Sequence, residues 1–222
     1  MKLQLDEWQE EVMNTEGNLC LRSGRQVGKS TVIAVKAGEW AVKHPKKNIM
    51  VISSVERQAH LLFEKIHAYI YDNYRSNIKM GKDRPTKSRL RMKNGSVIYC
   101  LPTGLSGHGI RGYTIDLLIA DEAAFIPEEV WTAVTPMLAV TRGTVILLST
   151  PFGREGYFYR CFSDDSYTQF HVSSEECPRK DQDFLDHEKE RMTKLQYAQE
   201  YLGEFVDELR QFFPTNLSKQ YV

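Results

Sequence analysis

The sequence predicts an α/β fold: a mostly parallel sheet with helices on both faces, followed by a smaller C-terminal piece. Three observations predict it. Short apolar, β-rich runs alternate with longer helical segments, the order expected of parallel strands joined by crossover helices. The first run, Leu19-Cys20-Leu21, leads into Ser23-Gly24-Arg25-Gln26-Val27-Gly28-Lys29-Ser30-Thr31. Two later runs also end in chemically capable residues, Leu117 to Ala120 in Asp121-Glu122 and Thr144 to Leu148 in Ser149-Thr150-Pro151.

In chain order, residues 5–14 read as a short helix, with Asp6 and Gln9 spaced as in a capping box. Strand 18–22, helix 29–43, strand 48–53 and helix 56–74 follow. A basic segment and hairpin occupy 79–101: Arg89-Leu90-Arg91-Met92-Lys93 alternates basic with apolar, and Asn94-Gly95 turns into Ser96-Val97-Ile98-Tyr99-Cys100. A glycine-rich loop, Gly104 to Gly112, leads to strand 116–120. Helix 127–138 opens at Pro127, in the first-turn position that proline favours. Strand 144–149 ends the first 150 residues, read as the core. Beyond Pro151 come Gly153, Gly156 and several aromatics, a strand-like Tyr167 to Val172, and two polar helices near 181–192 and 194–203. Residues 151–213 are expected to form a small lid or linker subdomain beside the ligand, and 214–222 a frayed tail.

The loop after the first strand has the form of a phosphate cradle, and the expected fold is a P-loop NTPase of the RecA/ASCE type. Backbone N–H groups at a helix start face phosphate oxygens, a lysine reaches the β/γ oxygens, and a following hydroxyl sits on Mg²⁺. Residues 23–31 supply this set, with Lys29 and Ser30 in the last two roles. The strict pattern wants glycine where Ser23 stands; Gly24 comes one place late, and Arg25 and Gln26 fill the loop. An ordinary turn into a helix explains Gly-Lys-Ser taken alone. The acidic pair argues against that, because ligand sites in open α/β sheets lie beyond the carboxyl ends of strands. There Asp121 is placed to order the Mg²⁺ shell and Glu122 to activate water, although an acidic helix N-terminus explains Glu122 as well. Thr150 is the candidate that senses the γ-phosphate; a strand end with a proline stop is the alternative.

Composition bounds the function class. The chain has 222 residues, 41% hydrophobic and 26% charged, which suits one globular nucleotide-binding domain. Its apolar runs fall well short of the roughly 20 residues that cross a bilayer, and Met1 to Glu7 is too polar for a signal peptide. Cys20, Cys100, Cys161 and Cys177 show no paired spacing, which points to a reduced, cytosolic protein, and Cys20 and Cys100, in apolar strand-like runs, read as core residues. Net charge is zero, which disfavours a strong static nucleic-acid binder. Lys79 to Lys93 nevertheless holds seven Lys or Arg against one Asp. Arg89, Arg91 and Lys93 share a face that suits a phosphate backbone; a charge-protected edge strand explains it equally.

Taken together, these residues resemble the large terminase subunits of tailed viruses, the ATPases that pump double-stranded DNA into capsids. Gly24-Arg25-Gln26-Val27-Gly28-Lys29-Ser30 is similar to the family's Arg-Gln-x-Gly-Lys-[Ser/Thr] loop. Leu5-Asp6-Glu7-Trp8-Gln9 resembles its N-terminal motif, whose glutamine reads adenine. Ile110-Arg111-Gly112 stands where the family has Arg-Gly, Asp121-Glu122 and Ser149-Thr150-Pro151 match its acidic and coupling motifs, and Glu200 to Val206 resembles the end of its ATPase module. The resemblance implies ATP and Mg²⁺ as ligands, Lys29 on the β/γ-phosphates, Ser30 and Asp121 at Mg²⁺, Glu122 as catalytic carboxylate, and contacts from Gln9 and residues 23–31. Arg25 in cis or Arg111 reaching a neighbouring subunit is the arginine finger; a loop-shaping salt bridge and a DNA or structural contact are the plainer roles, as helix capping is for Gln9. It further implies double-stranded DNA, a portal protein and a small terminase subunit as partners, a ring of typically five copies or a monomer when alone, no membrane, and a host-cytoplasmic setting. The family's RNase H-like nuclease domain is not expected in these 222 residues. Two rivals stand beside this reading: a helicase-like motor, which needs a second motor domain, and a nucleotide-gated assembly module without turnover, which has no need of Glu122.

Overall fold

The computed structural model describes residues 4–103 and 112–207. Among them the strands form one seven-stranded sheet in the order β3-β4-β2-β5-β6-β1-β7. The strands are β1 (Asn18–Ser23), β2 (Asn48–Ser53), β3 (Arg89–Arg91), β4 (Val97–Pro102), β5 (Leu117–Asp121), β6 (Thr144–Ser149) and β7 (Tyr167–Val172). All neighbours pair in parallel except β3, which runs antiparallel to β4 at one edge. The predicted α/β fold with a mostly parallel sheet is therefore the observed one.

Alternation along each strand builds two cores. Leu19 and Leu21 of β1 face one side with Ile49, Val51, Leu117, Ile119, Ile146 and Leu148. Cys20 faces the other with Met50, Ile52, Leu118, Ala120, Val145 and Leu147. Both sets are buried, so every central strand reads as a continuous apolar run, as parallel strands covered on both faces must. The first core is capped by α1 (Glu7–Asn14), α2 (Lys29–Lys43) and α3 (Glu56–Tyr74). The second is capped by α4 (Glu128–Val134) and α5 (Gly156–Phe162). Each Leu or Ile so enclosed contributes about 1.5–3 kcal/mol. The four cysteines are free and buried.

Local chemistry sets the deviations from the sequence reading. The segment expected as one helix over 127–138 stops being α-helical at Val134 and continues as a 3₁₀ turn, Thr135–Leu138. Pro136 lacks the N–H that would continue the α-helical ladder, and its ring crowds the preceding turn. Pro127 is the N-cap, with extended backbone, rather than the first helical residue. The basic hairpin closes through a three-residue loop: Gly95 N–H donates to Met92 O at 3.1 Å, Met92 N–H donates to Ser96 O at 2.8 Å, and Gly95 takes φ +91°.

The strand at 167–172 pairs with β1 over six residues, so the sheet extends past residue 150. The polar C-terminal helices are α6 (Gln182–Arg191) and α7 (Lys194–Tyr197), the latter widening into a π turn, Ala198–Leu202, that ends on Gly203 at φ +70°. No helix among the described residues is long and apolar enough to cross a membrane.

Candidate nucleotide-binding and catalytic site

Strand order assembles the site. β6 lies between β1 and β5, so the loop after β1, the carboxylates ending β5 and the hydroxyls ending β6 emerge side by side at the carboxyl edge of the sheet. The loop from Gly24 to Gly28 turns sharply into α2, with Gln26 at φ +57° and Gly28 at φ +102° as the left-handed N-cap. Among the described residues, the main-chain N–H groups of Gln26, Val27, Gly28, Lys29 and Ser30 have no protein acceptor, while Thr31 and Val32 already donate to Gly28 O. Free donors around a left-handed turn at a helix start form an anion cradle.

The side chains of the loop divide by role. Ser23 is buried and donates its hydroxyl to Gly24 O at 2.9 Å, and Val27 is buried in the core, so each offers the ligand only backbone. Gly24 packs against the π turn: a Cβ there would overlap Tyr201 O and Ser174 Oγ. Gly24 N–H donates to Val172 O at 2.9 Å and Arg25 N–H to Glu200 O at 2.8 Å. Arg25 is exposed and its guanidinium pairs with the Glu200 carboxylate, whose hydrogen bond holds the arginine pKa above its ordinary value. Ser30 and Thr31 are half-buried in the first turn of α2.

Lys29 is buried, and its Nζ lies 3.1 Å from Glu122 Oε1. The other carboxylate oxygen, Glu122 Oε2, is 3.2 Å from Ser149 Oγ and accepts the Thr150 N–H at 3.3 Å. Glu122 itself has φ +49°, unusual for a non-glycine residue. That turn lifts its side chain off the strand axis into the cleft instead of into the sheet. Asp121 is buried below it; burial first, and the Glu122 charge second, push its carboxyl up to about 6. Its Oδ1 accepts the Glu122 N–H at 3.0 Å. The cleft beside these groups has a volume of about 390 Å³ and is lined by Arg25, Gln26, Lys29, Glu122, Phe125 and Thr150, with Ser54 and Val55, in the link between β2 and α3, and Gln58 of α3 closing it.

No group of three or more His, Cys, Asp or Glu among the described residues is arranged to hold a metal ion. A hard divalent cation would therefore need one hydroxyl and one carboxylate from the protein and its remaining ligands from phosphate and water. Mg²⁺ takes that mixture, because it keeps several waters and binds through one or two carboxylates plus substrate phosphates. Ser30, a half-buried hydroxyl in the first turn of α2, and Asp121, a buried carboxylate ending β5, are residues of these two types.

Gln9 is 3% exposed and lies against the loop, with its Nε2 2.8 Å from where a Gly28 Cβ would stand. Arg111 falls outside the described residues. The sequence reading named Glu200 and Tyr201 only within the motif that ends the module, not as contacts of the loop, and missed Arg179, Gln58 and Phe125 at or beside it. Ser54 carried a readable signal, a hydroxyl ending an apolar strand just as Ser149 and Thr150 do. The others touch the site from remote segments, several of them through backbone carbonyls.

Comparison with known proteins adds an independent line. Residues 20–220 match the family model of the terminase large subunit, T4likevirus-type, N-terminal. The large terminase subunit of Thermus virus P23-45 is 25% identical over 224 aligned residues, covering 86% of this chain and 46% of that protein. The chain thus spans about half the length of the curated relatives it matches. The large terminase ATPase domain of Thermus phage P74-26 has a TM-score of 0.78 to this chain at 23% identity, covering 91% of this chain and 94% of that one. The large terminase of bacteriophage D6E in complex with ADP has a TM-score of 0.75 at 12% identity, covering 91% of this chain and 54% of that one. The two structural likenesses establish the shared fold.

Proposed function

The chain belongs to the terminase large-subunit family, matching its N-terminal part, and from that premise we propose that it is an ATP-hydrolysing module of a motor that drives double-stranded DNA into a viral capsid. The observation that carries the proposal is the placement of one carboxylate, Glu122, between the loop lysine and the end of β6. A simple phosphate-binding switch has no use for a carboxylate there. A hydrolase has, because water must lose a proton as it attacks the γ-phosphate.

The roles follow from position. Residues 26–30 cradle the β- and γ-phosphates with free N–H groups, and Lys29 leaves Glu122 to hold the β/γ oxygens. Glu122, so released, accepts the proton of the attacking water. Ser30 and Asp121 would hold Mg²⁺, which when bound neutralises charge on the β and γ oxygens. Catalysis then rests on positioning and charge stabilisation. Gln9 is the residue assigned to read the base, and the closeness of its Nε2 to Gly28 supports that role. Arg25 is the finger candidate in cis and Arg111 the candidate in trans.

Thr150 N–H, bound to Glu122 Oε2, carries the state of the catalytic carboxylate into the segment after β6. Within residues 151–213, expected as a lid, α5 and β7 belong to the sheet and its core, so the part that moves on hydrolysis lies after β7, and 214–222 act as a tail. A ring of copies, with five as the expected number, would work with a portal protein and a small terminase subunit in the host cytoplasm. The nuclease activity of longer terminases is not assigned to these residues.

The test is steady-state ATP hydrolysis across protein concentration, with and without duplex DNA, beside Glu122→Ala and Arg111→Ala. Turnover that rises with concentration and disappears in both variants supports a ring ATPase with a trans arginine. ATP binding with no turnover under any condition overturns the proposal in favour of a nucleotide-gated assembly module.

A further inference from the structure

Arg179 stands in the segment between β7 and α6 and reaches back to the phosphate loop. Its Nη2 donates to Val27 O at 2.9 Å, across 152 residues of sequence. Its Nη1 donates to Asp6 Oδ1 at 2.6 Å, tying the loop to the start of α1. Two directed hydrogen bonds on different nitrogens fix the plane of the guanidinium. Even so, the side chain is 50% exposed, so the protein leaves part of this fixed plane open.

Gln9 completes the arrangement. It is 97% buried, and its Oε1 accepts the Asp6 N–H at 3.0 Å. Its Nε2 has no hydrogen-bond partner among the described residues. A Cβ on Gly28 would stand 2.8 Å from Gln9 Nε2 and 3.3 Å from Arg179 Nη2. The amide and the guanidinium therefore flank the same point of the loop, beside Gly28. An amide nitrogen without a protein acceptor next to an immobilised, half-open guanidinium leaves both groups free to meet a ligand.

We propose that Arg179 is a nucleotide-positioning residue: its guanidinium plane forms the platform on which the nucleotide base stacks, beside the amide of Gln9. The proposal rests on the nucleotide-binding reading above and extends it to the base. The chemistry matches on both faces. Guanidinium planes stack on aromatic rings, and a glutamine amide pairs with the N6/N7 edge of adenine. Asp6 and Val27 O serve to hold the platform still, so the stack forms without ordering a free side chain.

The experiment measures the affinities of ATP and of inorganic triphosphate for wild type, Arg179→Ala and Arg179→Lys, using catalytically silent Glu122→Gln as the common background. Losing the platform should weaken ATP about ten- to a hundred-fold, the usual effect of removing a stacking partner from a base, and leave inorganic triphosphate unchanged. Lysine keeps the charge but lacks the plane, so Arg179→Lys should behave like Arg179→Ala. Rescue by lysine, or equal weakening of both ligands, assigns Arg179 a structural role and overturns the inference. An unchanged ATP-to-triphosphate ratio overturns it too. Failure of the unsubstituted Arg179 protein to bind either ligand would instead sink the nucleotide-binding reading itself. Should Arg179→Ala not fold, the lysine variant alone decides between these outcomes.

Discussion

Lys29 Nζ sits 3.1 Å from Glu122 Oε1 at the mouth of the cleft, so the lysine that would hold phosphate and the carboxylate that would activate water neutralise each other. A triphosphate entering the cradle brings the negative charge that frees both. Glu122→Gln keeps the size of the side chain and removes the base. We expect kcat to fall about 10²–10⁴-fold, the range for loss of a general base, with nucleotide affinity unchanged or tighter because Lys29 no longer has a competing anion. Steady-state hydrolysis and titration with a fluorescent ATP analogue check both halves. An affinity loss as large as the rate loss would mean that Glu122 serves binding rather than chemistry.

Gly203 closes the π turn against the loop, and a Cβ there would lie 2.7 Å from Gly24 N. Its φ of +70° adds strain for any other residue. Gly17 has a similar φ of +78° with nothing within 4 Å of a built Cβ. Gly17→Ala should therefore cost only the backbone term, about 1 kcal/mol. Gly203→Ala should cost clearly more and shift the loop, lowering Tm by at least ~4 °C at ~2–4 °C per kcal/mol for a chain of this size. Scanning calorimetry on the two variants separates strain from steric conflict. Equal Tm values would mean that the loop and the π turn are not packed as described.

How much of this was legible in the sequence depended on whether a residue acts through its side chain or its backbone. Lys29, Asp121 and Glu122 were readable because each ends a strand or opens a helix within a contiguous motif. Their convergence follows from strand order, with β6 between β1 and β5. The clamp on the loop was not readable. Arg25 N–H meets Glu200 O, Arg179 meets Val27 O and Ser174 Oγ meets Arg25 O, across about 150 residues or more, and a carbonyl carries no side-chain signature. For the same reason Tyr167 to Val172 read as a strand of a separate piece, while its pairing with β1 is a matter of main-chain register. The shortened helix at Pro136 was legible in principle, since proline inside a helical pattern ends it.

Glu39 ties the helix that carries Lys29 to its neighbour. Tyr69 and Tyr74 of α3 both donate to its Oε1, and Lys43 Nζ lies 3.0 Å from its Oε2. Burial pushes this carboxyl up, but the three donors outweigh burial and hold it below the usual glutamate range. A depressed carboxylate stabilises the fold above its unfolded pKa, about 4.3, and loses that contribution as pH falls through the folded value. Glu39→Gln should therefore destabilise the chain at pH 7, by about 1–3 kcal/mol for hydrogen bonds to a charged group. The gap from wild type should shrink progressively once pH drops below about 4. Urea unfolding of both proteins from pH 7 to pH 3 measures it, and a gap independent of pH would show that packing rather than charge is at work.

Arg25 is held by Glu200 in the structure, yet it lines the same cleft as Lys29 and Glu122. If Arg25 leaves Glu200 to stabilise charge on the γ-phosphate, the two residues compete for one guanidinium. Glu200→Gln should then tighten ATP binding several-fold, while Arg25→Ala should lower kcat, by up to the ~10³-fold or more that an arginine finger is worth. The decisive variant carries both changes: once Arg25 is gone, Glu200→Gln should alter neither affinity nor rate. A double-mutant cycle on ATP affinity reads this coupling directly. Additive effects would mean that Glu200 acts only on the fold of the π turn, and that the finger must come from Arg111 of a neighbouring copy.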